Sequence, residues 1–188
     1  MPQIALHVER CTGLLAGVRQ VFSPHFDARP QGCAADLIVI HGISLPPGEF
    51  GGPWIDRLFT GSLPGEAHPY FRDIGARRVS AHVLIRRDGT CVQYVPFHAR
   101  AWHAGESTYG GREACNDFSI GIELEGEDTC AYESVQYESL NALIDALTAA
   151  YPILSRARIA GHSEIAPGRK SDTGTAFDWE QVRKGSGS

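Results

Sequence analysis

Two histidines and one aspartate in this 188-residue chain have the residue types and the placement expected of a metal site. His41 follows the apolar run at residues 37–40, and His162 follows a strand-like segment at residues 158–161. Asp172 lies ten residues beyond His162 on a loop rich in Gly, Pro and charged residues. Two imidazoles and one carboxylate leave the fourth tetrahedral position of zinc open, which is the pattern of catalytic rather than structural sites.

Residue type alone does not single out these ligands, because the chain has eight histidines and most histidines are surface or core residues. The histidines expected to belong to that ordinary class are His7, His25, His68 and His98. The sequence leaves the roles of His82 and His103 open, since His82 falls in a predicted hairpin and His103 follows Trp102. His41 and His162 are favoured because strand ends are rigid and hold ligands in place.

A carboxylate close to such a metal could move the proton that hydrolysis requires. Glu123 and Glu125 share one face of a predicted strand at residues 118–125. The opposite face is apolar and carries Ile120, Ile122 and Leu124. Strand geometry cannot choose between the two glutamates, and their face could equally be a solvated one. Small residues beside Glu123, namely Ser119 and Gly121, predict room for a substrate above that face.

Three basic residues could complete the chemistry. Lys170 lies two residues before Asp172, where an ammonium could stabilise the oxyanion of a tetrahedral intermediate. Arg78 and Arg169 could each bind a substrate carboxylate through two parallel hydrogen bonds. Ordinary exposed cations would look the same in the sequence, so these roles stay open on residue type alone.

Short strands and one long helix must position these residues. A hairpin is predicted from residues 81–85 and 91–95 around an Asp-Gly turn at 88–89. Ser134 is predicted to cap a helix that ends near Tyr151, before Pro152. Its apolar stripe at helical spacing consists of Leu140, Leu143, Ile144, Leu147 and Tyr151. The Gly- and Pro-rich segment at residues 42–78 predicts an irregular binding wall or lid, with one short helix near residues 54–59. This pattern indicates an α/β or α+β sheet with helices packed against it.

Composition and charge narrow the function further. The formal net charge is −5 and the pI about 5.9, so no global positive field favours nucleic acid or anionic lipid. Residues 1–20 lack a signal-peptide pattern, and no stretch has the length of a membrane span. Five cysteines without a CxxC pair predict reduced thiols in the cytoplasm. We expect a monomer with one domain at residues 1–184, and a flexible tail or cloning remnant at residues 185–188.

Several segments together resemble the 1,6-anhydro-N-acetylmuramyl-L-alanine amidases (the AmpD family), within the wider amidase and peptidoglycan-recognition superfamily. The matching segments are residues 39–52, 79–82, 101–105 (AWHAG), 116–126 (NDFSIGIELEG) and 161–172. The resemblance runs from about residue 23 to about residue 179, and several long matches in the right order are far more specific than one motif.

The resemblance implies a mixed central sheet flanked by helices, with one zinc ion per chain. The implied zinc ligands are His41, His162 and Asp172. It also implies that Glu123 rather than Glu125 is the catalytic carboxylate, and that Lys170 stabilises the transition state. The implied reaction releases the stem peptide from anhydro-N-acetylmuramic acid in small cytoplasmic muropeptides of Gram-negative bacteria. That reaction serves cell-wall recycling and restrains induction of β-lactamase.

The resemblance also suggests which residues bind the substrate. Arg78 and Arg169 match family arginines and would bind carboxylates of the stem peptide, while Trp102 and His103 would line the same groove. Two positions depart from the family pattern. Gly42 replaces the usual asparagine after the first zinc histidine, which removes an amide that could contact the substrate. Thr173 replaces the usual proline after the zinc aspartate, which predicts a slightly looser loop.

Two other functions fit part of the sequence. A muropeptide-binding module without activity is one, because the same superfamily includes recognition proteins that have lost zinc. The simultaneous presence of Asp172, Glu123 and Lys170 argues against it. A hydrolase with a cysteine nucleophile is the other, but no cysteine lies in a segment that would place it beside a histidine and an oxyanion donor.

Overall fold

The structure is a computed structural model that describes residues 6–183, so the predicted tail at 185–188 lies outside the described residues. Its centre is a six-stranded sheet, formed by β3 (Arg19–Gln20), β5 (Leu37–Ile43), β6 (Val83–Ile85), β7 (Cys91–Gln93), β11 (Ser119–Glu125) and β12 (Ile159–Gly161). The order of the strands in this sheet is β12-β5-β11-β6-β7-β3. Strand β6 pairs antiparallel with β7, and the other four pairings are parallel. The predicted mixed sheet is therefore confirmed.

Within residues 6–183, three two-stranded antiparallel ribbons surround the sheet. They pair β1 (Val8–Glu9) with β2 (Leu14–Leu15), β4 (Phe26–Ala28) with β8 (Ala99–Ala101), and β9 (Thr108–Tyr109) with β10 (Arg112–Glu113). Each strand has only two or three residues, which is too short to produce a hydrophobic period. The sequence therefore did not predict them.

Helices cover both faces of the sheet. They are α1 (Trp54–Phe59), α2 (Phe71–Ile74), α3 (Ser134–Ala150), α4 (His162–Ile165) and α5 (Trp179–Arg183), with a 3₁₀ turn at Cys115–Asp117. The apolar stripe of α3, predicted from its helical spacing, packs on the face that carries Ile38, Ile40 and Ile122. On the opposite face, α1 and α2 pack against Leu84 and Tyr94. Among the described residues, no helix is both long and apolar enough to cross a membrane.

The Gly- and Pro-rich segment at 42–78 is a packed wall. Helix α1 has the bounds that its sequence predicted, and α2 is a second helix that the sequence did not predict. Ile55, Phe59 and Phe71 are buried in the cluster that also contains Leu45. Burial of these side chains holds the segment against the sheet, so it forms one side of the groove described below.

Two local predictions were wrong in detail, and one open alternative is excluded. Strand β5 continues through residue 43, so His41 lies within the strand rather than after it. The residue that caps α3 is Glu133, not Ser134, because Gln136 completes a reciprocal capping box with Glu133. Both faces of β11 are buried, so the face of Glu123 is not simply solvated.

Candidate active site

Three side chains converge beyond the carboxyl end of β12 and beside β5. The Nδ1 atoms of His41 and His162 lie 2.9 Å apart. Asp172 Oδ2 lies 3.4 Å from His41 Nδ1 and 3.0 Å from His162 Nδ1. Among the described residues, these side chains form the one group of His, Cys, Asp and Glu whose ligand atoms are close enough to share a metal ion. The structure thus brings together the three side chains that the sequence predicted as ligands.

The register of the parallel strands explains this convergence. On neighbouring strands, Glu123 of β11 pairs with His41 of β5, so both side chains lie on the same face. Gly161 of β12 pairs with Ile40 of β5, which places the next residue, His162, beside His41. The loop that carries Asp172 is held to α4, because the amide of Ser163 donates to the Asp172 carbonyl at 2.7 Å.

The chemistry of the donor set fits zinc. Two imidazole nitrogens and one carboxylate oxygen at 2.9–3.4 Å from one another match a tetrahedral ion, whose ligand atoms lie about 3.3 Å apart at bond lengths near 2.0–2.1 Å. Burial lowers the pKa of His41 to about 4, although its close contact with Asp172 opposes that effect. Burial would raise the pKa of Asp172, but the close contacts with His162 and His41 lower it overall. A neutral imidazole and an ionised carboxylate are the forms that bind metal.

Glu123 has the properties of a proton-transfer group. Its side chain is buried, and its Oε2 atom has no hydrogen-bond partner among the described residues. Burial raises its pKa well above the ordinary value, and the charge of Asp172 adds to the rise while Lys170 opposes it. A buried carboxyl without a partner is costly for stability, which points to a role in function.

Glu125, the other candidate on the same strand, is occupied elsewhere. Its carboxylate accepts hydrogen bonds from the backbone amides of Gly51 and Arg87 and from the guanidinium of Arg86. Those bonds tie β11 to the hairpin loop and to the segment before α1. The structure therefore supports Glu123 over Glu125 as the reactive carboxylate, a choice that strand geometry left open.

A groove of about 580 Å³ opens over the three ligands and Glu123. Lys170, Trp102 and His103 line it, as expected for residues assigned to substrate and transition-state binding. Its other walls include Tyr70 and Arg77, neither of which the sequence analysis selected. Arg77 has no motif around it, so only its position after α2 reveals its place in the groove.

Arg78 and Arg169, predicted to bind the substrate, are not among the groove-lining residues. The Arg78 guanidinium lies 5.6 Å from the ring centroid of Trp102. Arg169 donates to the carbonyls of Ala104 and Glu106 at 2.6 and 2.5 Å. Arg78 thus stays close to a groove wall, whereas Arg169 fastens the segment that carries His103. Their contact with a substrate stays a prediction.

Two glycines explain how the site is packed. A Cβ at Gly121 would lie 2.4 Å from Cγ of His103, so the space that the small residue leaves is filled by that ring rather than left for substrate. A Cβ at Gly42 would lie 2.4 Å from the Tyr132 hydroxyl. The Tyr132 hydroxyl donates to the carbonyl of Thr173 at 3.3 Å. Tyr132 therefore occupies the volume that a side chain at position 42 would need.

The two buried cysteines, Cys91 and Cys115, do not resemble nucleophiles. Burial raises the pKa of the Cys91 thiol to about 12, and burial also raises the pKa of Cys115. Among the described residues, those that line the groove include no cysteine. A thiol that stays protonated and lies away from the groove is inert, which argues against the cysteine-hydrolase hypothesis.

Comparisons with known proteins identify the family of the chain. Residues 31–175 match the Amidase_2 family, described as N-acetylmuramoyl-L-alanine amidase. The 1,6-anhydro-N-acetylmuramyl-L-alanine amidase AmpD of Escherichia coli (strain K12) is 60% identical over 171 residues, which cover 91% of this chain and 93% of that protein. AmpD of Citrobacter freundii is 60% identical over 171 residues, 91% of each chain. A crystal structure of a selenomethionine AmpD derivative is 58% identical, with a TM-score of 0.91 over 94% of this chain and 97% of that one.

Proposed function

The chain belongs to the N-acetylmuramoyl-L-alanine amidase family, and from this premise we propose that it is a zinc-dependent enzyme acting on anhydro-muropeptides. The bond hydrolysed is the amide between 1,6-anhydro-N-acetylmuramic acid and the L-alanine of the stem peptide. The relatives at 60% identity are named for activity on that unit. One zinc ion per chain is the proposed cofactor.

One observation carries this proposal. The ligand atoms of His41, His162 and Asp172 lie within 4.8 Å of one another, and the unpartnered carboxylate of Glu123 faces the same groove. A three-ligand site with an adjacent buried carboxylate is the arrangement needed to activate water against an amide. A site built only for binding has no need of a buried carboxylate without a hydrogen-bond partner.

Zinc held by these ligands would supply Lewis-acid activation of both the water and the amide carbonyl. Glu123 takes the proton of the attacking water on its carboxylate and delivers it to the leaving nitrogen. A new C–O bond forms at the carbonyl carbon, the C–N bond breaks, and the stem peptide leaves with a free amine. Lys170, at the groove wall, stabilises the negative charge that develops on the carbonyl oxygen.

We propose that Trp102 and His103 form the groove wall beside the substrate, and that Arg78 and Arg169 serve the carboxylates of the stem peptide. An acidic protein has to meet an anionic substrate with locally placed cations, which is the reason for assigning this role to the two arginines.

The cellular context follows from the substrate. We propose that the protein acts as a monomer in the cytoplasm, that residues 1–184 form its one amidase domain, and that small muropeptides are its partners rather than nucleic acid or membranes. Removal of these muropeptides recycles the cell wall and limits the induction of β-lactamase.

The test is release of stem peptide from a purified anhydro-muropeptide by the intact protein. The proposal expects full loss of turnover with a zinc chelator and recovery when zinc is added back. A protein that binds the muropeptide but releases no peptide at any zinc concentration would be a binding module. Turnover that resists the chelator and is lost on alkylation of thiols would instead indicate a cysteine hydrolase.

A further inference from the structure

His41 uses only one of its two ring nitrogens at the metal site. Its Nδ1 atom faces His162 and Asp172, while its Nε2 atom lies 2.9 Å from Nδ1 of His103. A ring nitrogen that faces another ring nitrogen needs one donor and one acceptor between them. The contact therefore has a direction, and the rest of the chain of hydrogen bonds fixes it.

The far end of this chain is a backbone carbonyl, which can only accept. The Ser119 hydroxyl donates to the Cys115 carbonyl at 2.5 Å, so its single proton is used there. At 3.2 Å, His103 Nε2 must then donate to the Ser119 oxygen. A neutral His103 with its proton on Nε2 has a lone pair on Nδ1, and that lone pair accepts the Nε2 proton of His41. His41 is left with a lone pair on Nδ1, the atom that faces the metal site.

Packing holds the ring of His103 in this position. Its ring lies over Gly121, where any Cβ would come within 2.4 Å of it. The Asn116 side-chain oxygen accepts from the backbone amides of His103 and Ala104 at 3.1 and 2.8 Å. The Ala104 carbonyl in turn lies 3.1 Å from Nε2 of His162, so the same short segment serves both histidine ligands.

We infer that His103 is a positioning residue that acts through His41: it accepts the Nε2 proton of that ring and so fixes the tautomer and orientation that present Nδ1 to the metal. Hydrogen-bond partners of metal-binding histidines set ring orientation and ligand strength in this way. The inference rests on the proposed zinc site, and it gives His103 a role other than contact with the substrate.

The test compares two substitutions of His103. His103→Asn keeps an acceptor near the position of Nδ1, whereas His103→Leu has similar bulk and no acceptor. We expect His103→Leu to weaken zinc affinity about 10- to 100-fold, measured by competition with a chromophoric chelator. We expect it also to shift the visible absorption of the cobalt-substituted protein, while His103→Asn recovers most of both properties. His98→Leu, an exposed histidine outside the groove, is the matched control.

A measurement on the wild-type protein does not depend on the folding of variants. Nitrogen-15 NMR of the zinc-loaded protein should show His103 protonated on Nε2 and not on Nδ1. A proton on His103 Nδ1 would overturn the inference. So would a His103→Leu protein with wild-type zinc affinity, an unchanged cobalt spectrum and only a raised KM, since that result assigns His103 to the substrate. If the wild-type protein itself binds no zinc, the proposed function fails instead.

Discussion

At the scale of single residues, the site depends on a carboxylate that the fold leaves without a partner. The buried Oε2 atom of Glu123 lacks a hydrogen bond among the described residues, whereas the carboxylate of Glu125, two residues along β11, has three donors. The difference separates a group free to exchange protons from one that supports the structure.

Replacement of Glu123 by glutamine should leave the metal site intact and remove proton transfer. We expect kcat to fall by about 10²- to 10⁴-fold in Glu123→Gln, because an amide cannot take the proton of the attacking water. Zinc content by atomic emission should equal that of the wild type. Glu164→Gln, an exposed glutamate on α4, is the control and should keep wild-type kcat. Full turnover in Glu123→Gln would exclude its assigned role.

Gly42 and Tyr132 should behave as a coupled pair. An asparagine at position 42 would place its Cβ 2.4 Å from the hydroxyl oxygen of Tyr132. The ring carbon that bears this hydroxyl, Cζ, would lie at 3.7 Å, which is an ordinary contact distance. We expect Gly42→Asn to lower the free energy of unfolding by about 1–3 kcal/mol through overpacking. Adding Tyr132→Phe should recover most of that loss, because it removes the clashing oxygen. Urea unfolding of the metal-free proteins measures both, and additive losses in the double variant would contradict the coupling.

Sequence reasoning selected three side chains that the structure brings together, but it did not predict what surrounds them. Strand-end placement favoured His41 and His162, and the structure brings both to Asp172. Strand alternation could not separate Glu123 from Glu125, because the difference lies in donors from distant segments. The packing of the His103 ring over Gly121 could not be predicted either. The sequence around a glycine does not show which distant side chain will pack against it.

At the scale of elements, α3 locks the carboxyl end of β11, the strand that carries Glu123, and that of its neighbour β6. The side-chain amide of Gln136 donates to the carbonyls of Glu125 and Ile85 at 3.0 and 3.3 Å, while its oxygen accepts from the backbone amide of Glu133. Gln136 is fully buried, so water cannot reach these two carbonyls to take the place of its hydrogen bonds. The helix thereby helps to set the position of β11, the strand that carries Glu123.

Gln136→Ala should therefore lower the stability of the protein more than most single substitutions do. We expect it to lower the free energy of unfolding by about 1–3 kcal/mol, because it leaves buried backbone acceptors unpaired and removes half of the capping box. Glu138→Ala, exposed on the same helix, should change stability by less than about 0.5 kcal/mol. Equal effects of the two substitutions in denaturant unfolding would show that Gln136 has no such role.

The elements that the sequence predicted well have either a hydrophobic pattern repeated over several turns or clear turn and capping residues at their ends. Helix α1, the hairpin and the stripe of α3 had such signals, and the structure contains all three. The cap at Glu133 was missed because a serine next to it has the stronger preference for that position. Strand order could not be predicted at all, since it depends on contacts between segments far apart in the chain.

At the scale of the whole molecule, the fold carries residues from β5, β11, α4 and the loop after it to one groove. That groove lies at the end of the parallel strands, where open sheets usually bind their ligands. Because the three proposed metal ligands come from separate segments, an ion bound by all of them would link those segments in the native state only. Binding of that kind stabilises the fold.

Removal of metal should therefore lower stability as well as activity. We expect the thermal midpoint of the protein to fall by several degrees with a chelator and to return on addition of one equivalent of zinc. A ligand at 100 times its Kd contributes about 2.7 kcal/mol, so even moderate affinity gives a measurable shift. His162→Ala should show no zinc-dependent shift. The same midpoint with and without chelator in the wild type would argue against a shared ion.

The most direct test of the reaction is mass spectrometry of products formed from an anhydro-muropeptide in ¹⁸O-water. Hydrolysis of the sugar–peptide amide places one ¹⁸O atom in the carboxylate of the anhydro-N-acetylmuramic acid and none in the stem peptide, which gains a free alanine amine. We predict this pattern, and its loss when zinc is withheld. Label in the peptide, cleavage at another bond, or an intact substrate in the presence of zinc would contradict the proposed activity.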